Sequence, residues 1–431
     1  MAKAEPKIPI KTLTITNEFD NFFMLADLHF GMKLGSDEWQ ENMRSYFDDW
    51  FIPEILEKHN DQSALIVLGD VFDDRKNINI SVNDMVIDVF EKLARILPVY
   101  IINGNHDMYK KSDNTITSLR SLENIHNLHV IKEPTLITVR SGEPEPETIV
   151  KDCYDNEGNI CGISGGVNPN YPGFKTLWEK TLMMIPYQGD MERETKLANQ
   201  NAKADYVFMH TDIKNLRYDN GRDINRGVDL TKVKGKVYSG HIHKRQETKK
   251  VTYIGSPYQL RRSDIGNQKG VYQIWLSHDR PDITSKLRGA LREGLRIQVE
   301  DEIFYENHFS PVFQRVFLSD LLEMEYGKVK EIFGNNYTDI LVTHEELDKL
   351  DIPKMYEMLE VCKPKRIEIK ILNKDQTFEI DEDDESEYKE KSIPEIIDLL
   401  IDNMEVDDKK KEDLKGLSAY YIDLCKTSIE E

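Results

Sequence analysis

Five short apolar runs punctuate the first 240 positions, at residues 22–26, 64–68, 99–102, 206–209 and 236–238. Runs of this length, rich in Val, Ile and aromatic residues, predict buried strands of an α/β sheet. Longer stretches between them carry a helical spacing. Trp39, Met43, Tyr46, Phe47, Trp50 and Ile55 mark an expected helix over 37–59. Val82, Met85, Val86, Val89, Phe90, Leu93 and Ile96 mark a second, with Ser81 as its cap. Those apolar faces read as core. Residues 141–173, rich in Gly, Pro, Asn and Glu, predict a long surface excursion between strands.

The pattern loosens over 277–301 and resumes as strand, helix, strand, helix, strand, expected at 312–318, 319–333, 338–342, 345–361 and 365–372. An acidic, almost apolar-free run at 381–390 reads as a disordered tether. Beyond it, Ser392-Ile393-Pro394-Glu395 has capping-box spacing ahead of Ile396, Ile397, Leu399, Leu400 and Met404. A further helix is expected from near Asp407, with Leu414, Leu417, Tyr420, Tyr421 and Leu424. Two short amphipathic helices on a tether cannot bury their own apolar faces, so they fold back on the body or dock on a partner. The expected division is a first unit over 1–285, a small α/β unit over 286–375, a linker over 376–391 and a helical tail over 392–431.

Each of the five runs leads into a patch with metal-ligating chemistry. The patches are Asp27-Leu28-His29, Gly69-Asp70, Gly104-Asn105-His106-Asp107, His210 and Gly240-His241-Ile242-His243. Side chains that follow strands gather at the carboxyl edge of such sheets. Asp-x-His alone is common by chance, Gly-Asp after a strand is usually a turn, and a lone histidine is more often a core residue. Together, in this order, with the rarer Gly-Asn-His-Asp and Gly-His-x-His, they point to a metal pair. Hydrolysing a phosphodiester needs an activated water and a sink for phosphoryl charge, and two ions roughly 3.5–4 Å apart supply both. Asp70 is the expected bridge, with Asp27, His29 and His243 completing one ion and Asn105, His210 and His241 the other. Carboxylate and imidazole ligands without thiolate suit manganese, iron or zinc, with Mn2+ the expected ion. His106 is left as general acid or charge stabiliser at the leaving oxygen, with Asp107 expected to hold its ring in the required tautomer.

These five blocks resemble those of the calcineurin-like metallophosphoesterase superfamily, whose ligand scheme agrees with this assignment. Within it, the chain is similar to the nuclease subunit of double-strand-break repair complexes, the SbcD type, including its phage recombination-endonuclease versions. Asp27-Leu28-His29-Phe30-Gly31, Leu68-Gly69-Asp70-Val71-Phe72-Asp73 and Tyr253-Ile254-Gly255-Ser256-Pro257 carry that likeness, continued by Tyr258-Gln259-Leu260-Arg261-Arg262-Ser263-Asp264. The resemblance implies a sandwich of two sheets flanked by helices, a small α/β capping domain that helps hold and select DNA ends, and a helical tail. It implies an exonuclease and endonuclease of recombination and break repair, present as a homodimer within a heterotetramer. The tail would dock on the coiled-coil base of an SMC-like ABC-type ATPase, through residues such as Ile396, Leu399, Leu400, Leu417, Tyr420 and Tyr421.

Protein serine/threonine phosphatases of the superfamily carry Gly-Asp-x-Val-Asp-Arg-Gly and Gly-Asn-His-Glu. This chain instead has Asp73-Asp74-Arg75-Lys76 and Gly-Asn-His-Asp. Archaeal and eukaryotic relatives of the nuclease have histidine where Asp73 stands, so no catalytic role is carried to that position. A phosphatase or small-phosphodiester hydrolase is the alternative, and its chemistry leaves the long C-terminal extension unexplained. A non-catalytic scaffold would not need the complete ligand set with His106.

Charge and cysteine usage adjust this picture. The net charge of −21 runs against DNA handling, which phosphate contacts dominate. From Glu379 onward, however, 19 acidic residues face 7 basic ones, so over half of the excess lies in the linker and tail together. Lys33, Arg75, Lys76, Lys110, Lys111, Lys244, Arg245, Arg261 and Arg262 flank the motifs. Each is also ordinary solvated surface; as a rim they are expected to position a DNA backbone, with modest and salt-sensitive affinity. Cys153, Cys161, Cys362 and Cys425 lack Cys-x-x-Cys spacing and read as free thiols of a bacterial or phage-infected host cytoplasm. A metal or disulfide shared by Cys153 and Cys161 is the alternative. No run of roughly eighteen apolar residues predicts a membrane span, and residues 1–11 lack an apolar signal region.

Overall fold

A computed structural model describes residues 7–57, 62–110, 113–154, 160–276 and 302–372. The expected tether and helical tail lie outside the described residues, as does Lys111. After an edge strand β1 (Lys11–Thr16), the unbroken apolar runs form central strands. β2 (Asn21–Leu25), β3 (Ser63–Val67) and β4 (Val99–Ile102) are buried at every position and pair in parallel. Such strands need cover on both faces, and the period of two decides which side chain meets which cover. Phe23, Leu25, Leu65, Val67, Val99 and Ile101 turn toward helices, while Phe22, Met24, Ala64, Ile66, Tyr100 and Ile102 turn toward a second sheet.

The helical cover differs in detail from expectation. α1 (Asp37–Ser45) continues through Tyr46–Leu56 as a wider coil of i→i+5 spacing that contains Pro53, a residue without an N–H. α2 (Ile80–Ile96) is capped by Asn79 rather than Ser81: Asn79 Oδ1 accepts the Ser81 N–H at 2.9 Å, which puts the serine inside the first turn.

A small hairpin follows, β5 (Met108–Lys110) with β6 (Asp113–Thr117), then β7 (Leu128–Ile131). The expected excursion is itself β structure. β8 (Thr135–Tyr154) and β9 (Ile160–Ile185) pair antiparallel along it, with register shifts at Ser141/Gly142, Pro146/Glu147 and Cys153/Tyr154. A hairpin satisfies backbone groups that an irregular loop leaves to water, and prolines are tolerated where the ladder is interrupted. Cys362 is a buried free thiol; nothing in the described side chains bears on Cys153 and Cys161.

α3 (Met191–Gln200) precedes β10 (Tyr206–His210), β11 (Lys236–Gly240), β12 (Gln246–Glu247), β13 (Val251–Tyr253), β14 (Gly270–Trp275) and β15 (Glu302–Glu306). One sheet has the order β1-β8-β9-β10-β11-β13-β12, the other β15-β14-β2-β3-β4-β7. The five motif strands therefore do not share one sheet, as the apolar runs alone suggested: β2, β3 and β4 belong to one and β10 and β11 to the other. The two-sheet sandwich is the arrangement the family resemblance implied. β15 comes from beyond residue 285, where the first unit was expected to end. Its pairing with β14 makes it an edge strand of the first unit, so the change of unit falls after Glu306.

The second unit is a three-stranded parallel sheet of β16 (Phe313–Phe317), β17 (Tyr337–Val342) and β18 (Arg366–Ile371). Helices pack on one face through Val316, Ile332, Phe333, Ile340, Val342 and Leu359. Both expected helices are broken. Leu318–Glu323 stops before Tyr326–Phe333, and His344–Leu347 stops before Ile352–Glu360, where Asp351 caps and Pro353 fits the first turn. The unit rests on the first through Trp39, stacked on Tyr337 at 5.8 Å and 8° and on Phe313 at 6.1 Å and 29°. Tyr337 OH donates to Glu38 at 2.8 Å and accepts from Asn42 at 2.7 Å.

Candidate metal centre

The candidate ligands lie in tight turns at the carboxyl ends of strands. Asp27 and His29 follow β2, Asp70 follows β3, Asn105 follows β4, His210 ends β10, and His241 and His243 follow β11. Asp27, His29, Asp70 and His241 have φ of 53°, 48°, 52° and 89°. Non-glycine residues rarely adopt this left-handed region, and such positions cluster at functional sites. The turns also press on one another. A Cβ on Gly104 would meet Asp70 Oδ1 at 2.1 Å and the Asp70 nitrogen at 2.3 Å, so only glycine lets the two turns touch.

Asp70 occupies the middle. Its Oδ2 lies 3.1 Å from His210 Nε2 and 3.9 Å from His29 Nε2, while Oδ1 accepts the His106 N–H at 2.8 Å. On one side, the ligand atoms of Asp27, His29 and His243 lie within 4.8 Å of one another, and on the other those of Asp70, His210 and His241. His29 Nε2 faces His243 Nε2 at 3.0 Å. Asn105 Oδ1 lies 3.0 Å from His210 Nε2 and 2.8 Å from His241 Nδ1. Asp27 Oδ1 accepts the His241 N–H at 2.9 Å, but its buried Oδ2 has no hydrogen-bond partner among the described residues. An orphaned carboxylate oxygen, opposed imidazole nitrogens and a donor set without thiolate fit a pair of divalent cations.

The outward nitrogen of each imidazole faces an oxygen; the His29 and His210 contacts are hydrogen bonds, and those of His241 and His243 are looser approaches to a carboxylate. His29 Nδ1 is 3.1 Å from Asp73 Oδ1, His210 Nδ1 is 2.7 Å from the Leu68 carbonyl, and His241 Nε2 is 3.3 Å from Asp212 Oδ1. His243 Nδ1 faces Asp219 Oδ2 at 3.7 Å. Such outer partners fix tautomer and ring orientation. Sequence reasoning carried no catalytic role to Asp73 and passed over Asp212 and Asp219. Asp73 sits within a recognised block and Asp212 two residues beyond His210, whereas nothing in the sequence marks Asp219.

Charge and burial act against each other here. Burial would raise the Asp70 carboxyl, but the His210, His106 and His29 rings hold it well below the usual range. Burial raises Asp27, with the Asp70 charge adding to it. For His210, burial would lower the pKa, yet Asp70 and Asp27 lift it to about 9. His29 is raised too: burial opposes, and the Asp73 bond with the Asp70 charge prevails. His243 is held well below its ordinary value by burial and then by His29.

The sequence profile of the calcineurin-like phosphoesterases matches residues 21–245, the stretch that holds every one of these candidate ligands. The chain belongs to that family. Exonuclease subunit 1 of Enterobacteria phage T4 is 25% identical to this phosphoesterase over 256 residues. The match covers 58% of this chain, which spans 63% of that relative's length.

Two expectations about the phosphoesterase site change. Asp107 does not hold the His106 ring. Its Oδ1 accepts the N–H groups of Val71 and Phe72 at 3.0 and 3.2 Å, and its Oδ2 that of Gly104 at 2.9 Å. A carboxylate with both oxygens on the backbone ties the two ligand turns together, and burial with the nearby Asp70 charge raises its pKa to about 6. The His106 ring is set instead by the Asp73 carbonyl, 2.5 Å from Nδ1. Burial lowers the His106 pKa to about 4. The expected basic rim is also reduced. Arg262 bonds Asp339 at 2.9 Å and Glu368 at 2.6 Å. Arg245 bonds Tyr272, Gln268 and Glu247, and lies 4.3 Å from the Phe304 ring centroid. Both guanidiniums are engaged within the fold. Lys33, Lys76, Lys110 and Lys244 are exposed, and Arg75 and Arg261 partly so. No helix among the described residues is long and apolar enough to cross a membrane.

Proposed function

We propose that this phosphoesterase is a two-metal DNA nuclease that hydrolyses phosphodiester bonds at DNA ends during recombination and break repair. The observation that carries the reading is Asp70 Oδ2, placed between His210 Nε2 and His29 Nε2 where a shared carboxylate would bridge two ions. Asp27, His29, Asp70 and His243 would hold one, and Asp70, Asn105, His210 and His241 the other. Divalent ions there, which we take to be Mn2+, would supply charge neutralisation at the phosphoryl oxygens and a nucleophile at neutral pH. The similarity to a phage exonuclease subunit supports DNA as the substrate. It also supports work within a complex, for which we propose an SMC-like ATPase engaged by the C-terminal tail and a homodimer of this chain.

The protein's own part is positioning and one proton. With Nδ1 held on the Asp73 carbonyl, His106 presents Nε2, which bonds none of the described residues. A neutral ring with its proton on Nδ1 offers a lone pair at Nε2. The negative phosphoryl group bound beside it favours protonation there, and the imidazolium then stabilises and protonates the departing sugar oxygen. Lys33, Lys76, Lys110 and Lys244 are assigned to the DNA backbone. The test is Mn2+-dependent cleavage of an end-labelled duplex beside a small chromogenic phosphodiester, with His106→Ala as control. We expect degradation from ends that falls by at least a hundredfold in a variant whose metal content is unchanged. Turnover of the small ester alone would replace this reading with a small-substrate hydrolase.

A further inference from the structure

Residues 255–269 lie outside the metal ligands yet hold two of the turns that present them. The His243 carbonyl accepts from the Ser256 N–H at 3.1 Å and from Lys269 Nζ at 2.8 Å. Gly255, at φ +73°, makes this approach possible: a Cβ there would lie 2.7 Å from the His243 oxygen. Tyr258 OH donates at 2.7 Å to the carbonyl of Leu28, the residue between Asp27 and His29. Lys269 is 4% exposed, and its ammonium also donates to Ser256 Oγ at 2.8 Å and Asp264 Oδ1 at 2.7 Å. A buried ammonium is costly unless its donors are satisfied, and here three acceptors satisfy them.

The same stretch grips the second unit. Gln259 Oε1 accepts the Phe313 N–H at 2.6 Å, Arg262 bonds Asp339 and Glu368, and Asp264 Oδ2 closes the turn by accepting the Leu260 and Arg261 N–H groups. Among the described residues, the side chains of Asn105, His210 and His241 make no hydrogen bond to this stretch. Its grip falls on one half of the centre.

We propose that Lys269 and Tyr258 are positioning residues for the ion held by Asp27, His29 and His243, and that residues 255–269 couple that ion to the second α/β unit. This rests on the proposed two-metal site. The strap sets the carbonyls that flank three ligands, so its displacement changes one ion's affinity and leaves the other's. A uniform structural role would affect both alike.

The experiment is Mn2+ titration of the full chain by calorimetry, resolving two binding steps, with circular dichroism of each variant. Lys269→Met is expected to weaken one step at least tenfold and leave the other within about twofold, in line with losses seen on removing outer partners of metal ligands. Tyr258→Phe deletes one hydroxyl within a preserved shape, and should weaken the same step even if Lys269→Met fails to fold. Arg262→Ala should shift that step in the same direction. Equal weakening of both steps, or none in a folded Tyr258→Phe, overturns the positioning role. An unchanged Arg262→Ala overturns the coupling to the second unit. Wild-type protein that binds no Mn2+ would remove the two-metal reading itself, a result distinct from either.

Discussion

Charge coupling at the proposed metal centre raises two histidine pKa values, and this predicts opposite responses of apo and loaded protein to pH. His210 is raised to about 9 by Asp70 and Asp27 against the effect of burial, and His29 is shifted in the same direction. To ligate through Nε2, His210 must be neutral. At pH 7 a ring with this pKa is about 99% protonated, so each ion pair entering the site must displace at least one proton. Between pH 7 and 9 the apparent affinity should then rise by about tenfold per unit, on the order of 2.7 kcal/mol over the interval. The apo protein should behave in the reverse sense. A histidine whose folded pKa exceeds its unfolded value stabilises the fold fully below the unfolded pKa, and this contribution is lost as pH rises through the folded one. For His210 that window runs from about 6.5 to about 9, with a size on the order of 3 kcal/mol. Calorimetry in buffers of different ionisation enthalpy counts the protons, and thermal melts of chelator-treated and Mn2+-loaded protein give the slopes. Binding without proton release at pH 7, or an apo melting temperature that does not fall between pH 7 and 9, would refute the electrostatic account of the centre.

Three further outcomes follow from the contacts. Asp73→Asn replaces the acceptor on His29 Nδ1 by a group that can point its amide at the ring, and should lower metal affinity or cleavage by about 10–100-fold; elemental analysis and rates together check it. Gly104→Ala puts a methyl group against Asp70 and should abolish stoichiometric metal binding while lowering the apo melting temperature; a variant that loads two ions normally would contradict the close approach. Trp39→Ala removes the ring between the two units and should cost about 3 kcal/mol in denaturant unfolding, with unchanged stability as the refuting result.

What the sequence made legible depended on how local each cause is. The strands β2, β3 and β4 were readable because cover on both faces leaves an uninterrupted apolar run. The gathering of the candidate ligands was readable because they follow those strands directly. Sheet membership was not, since a buried strand carries no mark of which sheet it joins. The 141–173 hairpin was missed because its Gly and Pro content resembles a loop, while cross-strand pairing is a property of two distant segments. Asp107 misled for a related reason. Its place beside His106 suggested a side-chain pair, but the Val71, Phe72 and Gly104 N–H groups compete for it more effectively. Arg262 looked like surface charge until its partners, Asp339 and Glu368, arrived from some eighty residues and more downstream.

The division of the proposed ligands between the sheets bears on how the fold closes. Asp27, His29, Asp70 and Asn105 follow strands of the six-stranded sheet, while His210, His241 and His243 come from the seven-stranded one. Each proposed ion therefore takes ligands from both. The inner apolar layer, with Phe22, Met24, Phe208 and Tyr238, joins the sheets below the rim, whereas the rim itself brings together buried carboxylates and imidazoles with an unpartnered Asp27 oxygen. Apolar burial favours association of the sheets without fixing their relative register at this edge, because it is non-directional. Coordination is directional, and any ion that binds the folded centre more tightly than the unfolded chain shifts the balance toward the closed rim. The left-handed turns at Asp27, His29, Asp70 and His241 are the local conformational cost of bringing seven side chains from two sheets to one place.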